Sequence, residues 1–249
     1  MAARSPMPDR RSHRGPHPED ARLFAPDQHA RLRQAVADLS WLLTRGYAWK
    51  SGLKIVGDRH ALTERQRTAV WRSACSDEAL GGRRQHERSI ESLSGGPLAI
   101  DGYNLLITVE SALGNGVILV GRDGCYRDLA SLHGTYRKVE ETVPALVRIG
   151  QYLASQGITR ADWHFDRPVS NSGRLRDLAQ TTAATHGWEW SVVLDPNPDR
   201  ALAAAGVPVA STDSWVLDHA DGWVNLARRL IESSVPEARV VDLFPPSQY

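Results

Sequence analysis

Cysteine is scarce in this sequence, and long apolar runs are missing. Among 249 residues the only cysteines are Cys75 and Cys125, too few for a disulfide framework or a cysteine-based zinc site. No apolar run approaches the roughly 18 residues that a membrane span requires, and the start of the chain lacks the apolar core of a secretory signal. These absences argue against a transmembrane protein and predict a reduced cytoplasmic location without a membrane partner.

Four catalytic sequence patterns are also missing. The chain has neither GxxxxGKS nor GxxxxGKT, and no GxGxxG after its first predicted strand, which argues against a P-loop nucleotide hydrolase and a dinucleotide enzyme. It has no GxSxG and no HExxH, which argues against a serine hydrolase of the nucleophile-elbow type and a zinc peptidase. Any chemistry is therefore expected from other residues.

Charge is balanced overall but not locally. The chain has 30 Lys and Arg against 29 Asp and Glu, yet residues 45–72 hold seven basic and two acidic residues. A basic segment in a balanced chain favours a polyanionic partner, although the same pattern fits an ordinary solvated helical surface. The predicted nucleic-acid-binding residues are Lys50, Lys54, Arg59, Arg65 and Arg67.

The sequence divides into four parts. Residues 1–25 are rich in proline, arginine and histidine, lack periodicity, and predict a disordered tail. Residues 26–80 show helical spacing and a capping-box pattern, and predict a small basic all-α domain. Residues 81–96 are polar and glycine-led, as in a linker. Residues 97–249 alternate apolar runs with helical patterns, which predicts a three-layer α/β domain with a mostly parallel sheet.

Within the α/β domain the elements can be located by pattern. Short apolar runs predict strands at 97–100, 117–120, 161–165, 190–194, 207–210 and 238–241. Amphipathic patterns predict helices at 143–156, 173–185, 199–205 and 222–233. No helix is predicted between the first two apolar runs, so we expect a hairpin-like insertion at 117–130.

Aspartates recur where the predicted strands end. They are Asp101, Asp166, Asp195 and Asp213. Ligands of open α/β sheets bind at the carboxyl ends of the strands, and clustered carboxylates there need protons or cations to offset their repulsion. Oxygen ligands without a cysteine or histidine pattern suit Mg²⁺ or Mn²⁺. The alternative interpretation is that each aspartate caps the helix that follows its strand.

The stretch Asp101-Gly102-Tyr103-Asn104 is the most specific local motif. Glycine permits a tight turn after the strand, and the Asn104 side chain can orient water or a phosphate oxygen. This motif resembles the end of the first strand in PIN-like nucleases, particularly their NYN branch. The stretch Ser211-Thr212-Asp213 resembles the end of a later strand in the same superfamily.

The resemblance to PIN-like nucleases implies a set of metal ligands. It implies that Asp101, Asp199 and Asp213 bind the metal, with Asp166 or Asp195 contributing. In that superfamily an acidic residue is expected on an early helix. The nearest acid after Asn104 is Glu110, which comes so soon that we expect it to face elsewhere.

A second resemblance covers most of the chain. The stretches LLTRGYAWKSGLKIVGDRHALTERQRTAVWRSACSD and FDRPVSNSGRLRDLA resemble those of a two-domain family of uncharacterised prokaryotic proteins. The resemblance spans about 26–235 and implies a small basic helical domain followed by a PIN-like domain.

The segment after Asp166 predicts an anion site. Ser170, Asn171, Ser172 and Arg174 surround the start of a predicted helix, where backbone N–H groups and polar side chains can hold a phosphate. The alternative is that Ser170 or Ser172 only caps that helix.

These patterns together support one leading hypothesis and two others. The leading hypothesis is a metal-dependent nuclease acting on RNA, with Asp101 and Asp213 as metal ligands and Asn104 orienting water or the scissile phosphate. The second is a non-catalytic RNA-binding or regulatory protein that keeps the fold. The third is a phosphatase or nucleotide-binding enzyme that uses the same acids on a small substrate.

Overall fold

The computed structural model describes residues 14–130 and 136–244. The helices in these ranges are α1 (Asp20–Leu23), α2 (Pro26–Thr44), α3 (Trp49–Arg59), α4 (Glu64–Ser73), α5 (Asp77–His86), α6 (Gly102–Leu113), α7 (Thr142–Ser155), α8 (Ser172–His186), α9 (Pro198–Ala203), α10 (Ser214–His219) and α11 (Leu226–Ser234). The strands are β1 (Pro97–Asp101), β2 (Ile118–Val120), β3 (Tyr126–Asp128), β4 (Arg160–Asp166), β5 (Trp190–Asp195), β6 (Val209–Ala210), β7 (Trp223–Val224) and β8 (Val240–Asp242).

The strands form a main sheet and a small second sheet. The main sheet has five parallel strands in the order β5-β4-β1-β6-β7. The second sheet has three strands in the order β3-β2-β8, with β2 antiparallel to β3 and parallel to β8. An α/β fold with a helical N-terminal region and a mostly parallel sheet is thus confirmed, as is the hairpin at 117–130.

The two faces of the main sheet are covered by different helices. Leu98 and Ile100 of β1 belong to the main apolar core, which also includes residues of α6, α7, α8 and α11. Ala99 points to the opposite face, where it packs with Leu202 of α9 and Val216 of α10. This alternation follows the two-residue period of a strand, and it places α9 and α10 beside the carboxyl ends of β1 and β6.

Helix α6 contradicts the expectation that no helix lies between the first two apolar runs. It is opened by Asp101, whose side chain accepts a hydrogen bond from the backbone N–H of Asn104. Ten of its 12 residues are buried, so the helix lacks the polar face that makes a helical period visible in a sequence. The predicted helix at 222–233 is also corrected, because Trp223–Val224 pairs with β6 and α11 begins only afterwards.

The N-terminal region is helical, as predicted, and α2, α3 and α4 lie within residues 26–80. The capping box at the start of α4 is confirmed, since the Thr63 side chain accepts from the backbone N–H of Gln66 and the Gln66 side chain accepts from that of Thr63. The predicted linker at 81–96 is wrong in its first part, because 81–86 belong to α5, which Ser76 caps. A 3-10 helix follows at Ile90–Leu93.

The predicted tail at 1–25 is also partly wrong. Residues 1–13 lie outside the described residues, but Asp20–Leu23 forms α1, and Leu23 and Phe24 are buried against the other N-terminal helices. The tail prediction fails here because the buried Asp20 carboxylate pairs with Arg65, a partner 45 positions later in the chain.

The N-terminal helices do not form a closed core by themselves. Their apolar cluster, which includes Leu32 and Leu39 of α2, also contains Leu119 of the second sheet together with Val241 and Leu243 near the end of the described chain. The second sheet therefore joins the helical region to the α/β region. In the described ranges, no helix combines the length and the apolar character needed to cross a membrane.

Candidate active site at the strand ends

The main sheet changes its direction of growth between β1 and β6. From β1 the chain adds β4 and then β5 on one side, and returns to add β6 and β7 on the other side. In open parallel sheets, ligands bind beyond the carboxyl ends of the strands at such a switch point. Asp101 ends β1 and Asp213 follows β6, so these two aspartates flank the switch point.

Asp101 is buried and accepts three hydrogen bonds. Asn104 donates its side-chain Nδ2–H to Oδ2 at 2.7 Å and its backbone N–H to Oδ1 at 3.4 Å, and the Ser211 hydroxyl donates to Oδ2 at 2.6 Å. Burial raises the pKa of Asp101 to about 7, although the hydrogen bonds from Ser211 and Asn104 oppose the shift. Ionising this carboxyl therefore costs free energy unless a cation compensates the charge.

Asn104 lies where the sequence places it, but its amide is already engaged. Its Nδ2–H is donated to Asp101, and its backbone carbonyl accepts from the Thr108 hydroxyl at 2.8 Å. Asn104 therefore orients the Asp101 carboxylate directly. Its side-chain oxygen and the second hydrogen of Nδ2 remain to contact water or phosphate.

Ser211 connects the two aspartates at the switch point. Its hydroxyl donates to Asp101 and accepts from the backbone N–H of Asp213 at 3.0 Å. Asp213 in turn caps α10, since its Oδ1 accepts from the backbone N–H groups of Trp215 and Val216 at 2.8 and 3.2 Å. No role is predicted for Ser211 from the sequence, although the Ser-x-Asp spacing after the strand is a signal that could have identified it.

Asp213 acts electrostatically on three other aspartates. Burial is the largest cause of the raised pKa values of Asp101, Asp166 and Asp199, and the negative charge of Asp213 raises all three further. Asp199 also feels the charge of Asp166. Capping accounts for the position of Asp213, but it does not account for four carboxyl groups that share one field. We call Asp101, Asp166, Asp199 and Asp213 the acidic group.

Asp195 adjoins the acidic group at the edge of the sheet. It lies opposite Asp166 in the register of β4 and β5, and its charge contributes to the raised pKa of Asp166. Its Oδ1 accepts from the backbone N–H of Asn197 at 3.1 Å, and its Oδ2 lies 3.5 Å from Nδ1 of His164. Both carboxylate oxygens of Asp195 therefore have neighbouring partners, in Asn197 and His164.

Glu110 does not belong to the acidic group. It lies about 13 Å further along α6 than Asp101 and is fully buried. Its carboxylate accepts from Nε of Arg14 at 2.9 Å, from the Thr142 hydroxyl at 2.6 Å and from the Tyr136 hydroxyl. It faces away from the strand ends, as the sequence predicts, and holds residues around 136–142 against α6.

A buried ion network fixes the segment that carries Asp213. The Asp123 carboxylate, 2% exposed, pairs with Arg83 and Arg127 at 2.6 Å each. Arg127 also donates to the backbone carbonyl of Thr212 at 2.8 Å, and Arg83 pairs with Asp218 of α10 at 2.7 Å. Burial alone would raise the pKa of Asp123, but the charges of Arg127 and Arg83 outweigh it and hold this pKa well below its usual range. Helix α5, the hairpin and α10 are thereby fastened together.

The predicted anion site is only partly available. Ser172 is buried, and its hydroxyl donates to the backbone carbonyl of Arg167 at 3.4 Å, so its assignment as a phosphate ligand stays a prediction. Asn171 adopts a left-handed backbone with φ of 70° and does not cap α8. Ser170 and Arg174 are exposed.

The predicted basic surface of the helical region divides in two. Arg65 is used internally, since its Nε and Nη2 donate to the buried Asp20 carboxylate at 2.5 and 2.9 Å. Arg67 donates to Asp58 at 2.7 Å and to the backbone carbonyl of Leu62 at 3.1 Å. Both guanidinium groups thus already have acceptors within the protein, and the assignment of these two arginines to nucleic-acid binding stays a prediction.

The other three basic residues remain on the surface. The Lys54 side chain is 78% exposed beside Asp58, and the Arg59 side chain is 74% exposed beside Asp38. Lys50 is exposed and lies over the ring of Trp49. Surface ion pairs of this kind cost little to exchange for another partner, so Lys50, Lys54 and Arg59 can still meet a polyanion.

Comparisons with known proteins give two family matches and one relative. A family described as "Domain of unknown function (DUF5616)" matches residues 90–229, and one described as "Protein of unknown function (DUF434)" matches residues 31–86. The uncharacterized protein MJ0935 of Methanocaldococcus jannaschii is 26% identical over 186 residues, which cover 75% of this chain and 88% of that protein. No solved structure matches the chain. The two matches fit the two-part family that the sequence predicts.

Proposed function

The chain belongs to the family described as a domain of unknown function, DUF5616, and from this premise we propose that it is a metal-dependent nuclease of PIN-like fold that cleaves RNA. The matched range, 90–229, contains the whole acidic group. The PIN-like assignment is supported by the two motif resemblances, together with a parallel sheet whose strands end in aspartates.

The electrostatic arrangement around Asp213 carries the proposal. Its charge raises the pKa values of three other buried or half-buried aspartates, Asp101, Asp166 and Asp199. Such mutual repulsion is unfavourable in the free protein and is relieved by a cation. Clustered groups with perturbed pKa values are typical of functional sites.

The donor set fits Mg²⁺ or Mn²⁺ held partly by its substrate. Among the described residues, no three His, Cys, Asp or Glu side chains lie close enough together to form a complete metal site. Mg²⁺ is often bound by only one or two carboxylates, with water and substrate phosphate as its other ligands. Asp101 and Asp213 would provide those carboxylates, with Asp166, Asp199 and Asp195 contributing from the surrounding strand ends.

The chain's own residues have separate tasks in this proposal. When bound, the metal would activate water and neutralise charge developing on the phosphodiester. Asn104 and Ser211 hold the Asp101 oxygens in a fixed orientation. Exposed lysine and arginine side chains would bind the phosphates of the RNA backbone, which adds affinity but no preference for a base sequence.

Aspartate-to-asparagine variants test the proposal. Asp101→Asn and Asp213→Asn should abolish Mn²⁺-dependent cleavage of a labelled single-stranded RNA, because each removes a carboxylate charge and keeps the side-chain shape. The matched control is Asp162→Asn, on the same sheet but paired with Arg160 away from the strand ends, which should cleave normally. Undiminished cleavage by Asp101→Asn, with circular dichroism like that of the wild type, would exclude the proposal.

A second candidate is a non-catalytic RNA-binding or regulatory protein. It is favoured by the orientation of Glu110, because the early helix directs its acid away from the strand ends. Thermal unfolding with added Mn²⁺ distinguishes the two candidates. A functional acidic group should gain about 2.7 kcal/mol of stability at a Mn²⁺ concentration 100 times its Kd, and this gain should be lost in Asp101→Asn, whereas a vestigial group should not respond.

A further inference from the structure

A groove with a basic rim lies between α8 and the segment around 136–138. Its volume is about 230 Å³. Its apolar lining, which we call the floor, comes from Tyr136 together with Leu175 and Leu178 of α8. Its rim carries Arg137, Lys138 and Arg174. We call this feature the basic groove.

The cations of the basic groove are not used by the fold. Arg137, Lys138 and Arg174 are exposed, and within the described part of the chain none of them has an ion pair or a side-chain hydrogen bond. Arg65 and Arg67 of the helical region, in contrast, donate to the carboxylates of Asp20 and Asp58. Ordering these three cations on a ligand would therefore break no contact seen in the fold.

The basic groove adjoins the acidic group. The Tyr103 and Tyr136 rings are 5.6 Å apart, and the Tyr103 ring also contacts Phe165, the residue before Asp166. Asn171, in the loop that follows Asp166, donates its Nδ2–H to the Tyr136 backbone carbonyl at 3.0 Å. This loop thus runs from the acidic strand end to the wall of the groove.

The cations of the basic groove can offset the repulsion between the acidic group and the phosphates of a nucleic acid. The acidic group repels phosphates when no metal is present, so binding free energy for a nucleic acid must come from cations nearby. The exposed Arg167 directly follows Asp166, and the three rim cations lie beyond it. The apolar floor, in turn, suits a flat uncharged group better than a phosphate.

We propose that the basic groove receives one nucleobase of a single-stranded nucleic acid, whose adjacent phosphates are held by Arg137, Lys138 and Arg174. The bound strand runs past Arg167 to the acidic group. This inference rests on the proposed function and specifies the path of its substrate. A duplex does not fit, because its bases are stacked and paired and cannot enter a groove of this size.

The test compares charge-matched variants in EDTA, where cleavage does not interfere. Arg137→Gln/Arg174→Gln removes two cations of the rim, and Arg22→Gln/Arg160→Gln removes two exposed arginines elsewhere. Binding of a fluorescein-labelled single-stranded hexanucleotide is followed by anisotropy at several salt concentrations. The groove variant should lower the slope of log K against log salt by about 1.4, at about 0.7 per phosphate contact on a single strand. The control pair should leave the slope unchanged.

A third variant tests the apolar floor. Leu178→Trp fills the groove without changing charge, and should weaken hexanucleotide binding at least tenfold with little change in salt slope. A hexanucleotide duplex should bind more weakly than the single strand to the wild type. Unfolding midpoints of all variants in urea show whether any of them is misfolded.

Several results would overturn the proposal. One is an unchanged slope in the groove variant, and another is a slope lost only in a Lys50→Gln/Lys54→Gln variant, which would place the strand on the helical region. Full displacement of the strand by polyglutamate at equal charge concentration would indicate an acidic protein as the ligand. Absence of Mn²⁺-dependent cleavage would refute the nuclease alone, because these binding measurements contain no metal.

Discussion

Replacing Asp101 by asparagine should stabilise the metal-free protein at pH 8 and slightly destabilise it at pH 4. In the folded protein, burial raises the pKa of Asp101 from its usual 3.8 to about 7. Between these two values the folded state holds a proton that the unfolded state has released, so wild-type stability falls as the pH rises. At about 1.36 kcal/mol per pKa unit, the loss amounts to about 4 kcal/mol above pH 7.

Asparagine removes this loss at the cost of one hydrogen bond. The Asp101 oxygens accept from Ser211 and from two N–H groups of Asn104, and an amide group cannot accept at both atoms. The lost bond should cost about 1 kcal/mol at every pH. We therefore expect Asp101→Asn to be less stable than the wild type by less than about 1 kcal/mol at pH 4, where the unfolded wild type has begun to ionise, and more stable by about 3 kcal/mol at pH 8.

Urea unfolding of both proteins at pH 4 and pH 8, with EDTA present, measures these differences. Other raised pKa values, such as that of Glu110, act in both proteins and largely cancel in the comparison. A difference between variant and wild type that is the same at both pH values would refute the reasoning, because it would mean that Asp101 ionises in the folded protein as easily as in the unfolded chain.

Three further substitutions test the packing around the site by urea unfolding. Gly102→Ala should cost about 1–3 kcal/mol, because its Cβ would lie 2.5 Å from the Phe165 ring; wild-type stability would contradict this close approach. A Cβ at Gly173 would have no atom within 4 Å, so Gly173→Ala should raise the free energy of unfolding by up to about 1 kcal/mol. A lower free energy of unfolding would contradict the helical start of α8. Arg127→Met leaves Asp123 without one of its two buried partners and should cost about 3–5 kcal/mol; a cost below 1 kcal/mol would disprove the network.

The strands and their terminal aspartates could be predicted because their signals are local. The run before Asp101 is apolar over a strand's length, and the carboxyl ends of parallel strands must meet at one edge of the sheet. The start of α4 could be predicted in the same way, since the Thr63 and Gln66 side chains that cap it are only three positions apart. Local chemistry of this kind requires no knowledge of the tertiary fold.

Helix α6 and the internal arginines could not be predicted for a different reason. The residues of α6 are buried on nearly all sides, so tertiary burial removed the polar face that reveals a helix. The sequence around Arg65 indicates a solvated cation, because its buried partner Asp20 lies 45 positions earlier in the chain. For the same reason the effect of the Asp213 charge on the other three aspartates could not be predicted, because the four residues lie on separate segments that only the fold brings together.

The core shared by the N-terminal helices and the second sheet sets an order of folding during synthesis. Leu32 and Leu39 leave the ribosome early, but their neighbours Val241 and Leu243 are translated last among the described residues. Until then the apolar side of these helices remains in contact with water, and such exposure makes nascent chains prone to aggregation and to capture by chaperones. Contacts of so large a sequence separation also slow folding. The helical region is therefore synthesised before the residues of the second sheet that complete its core.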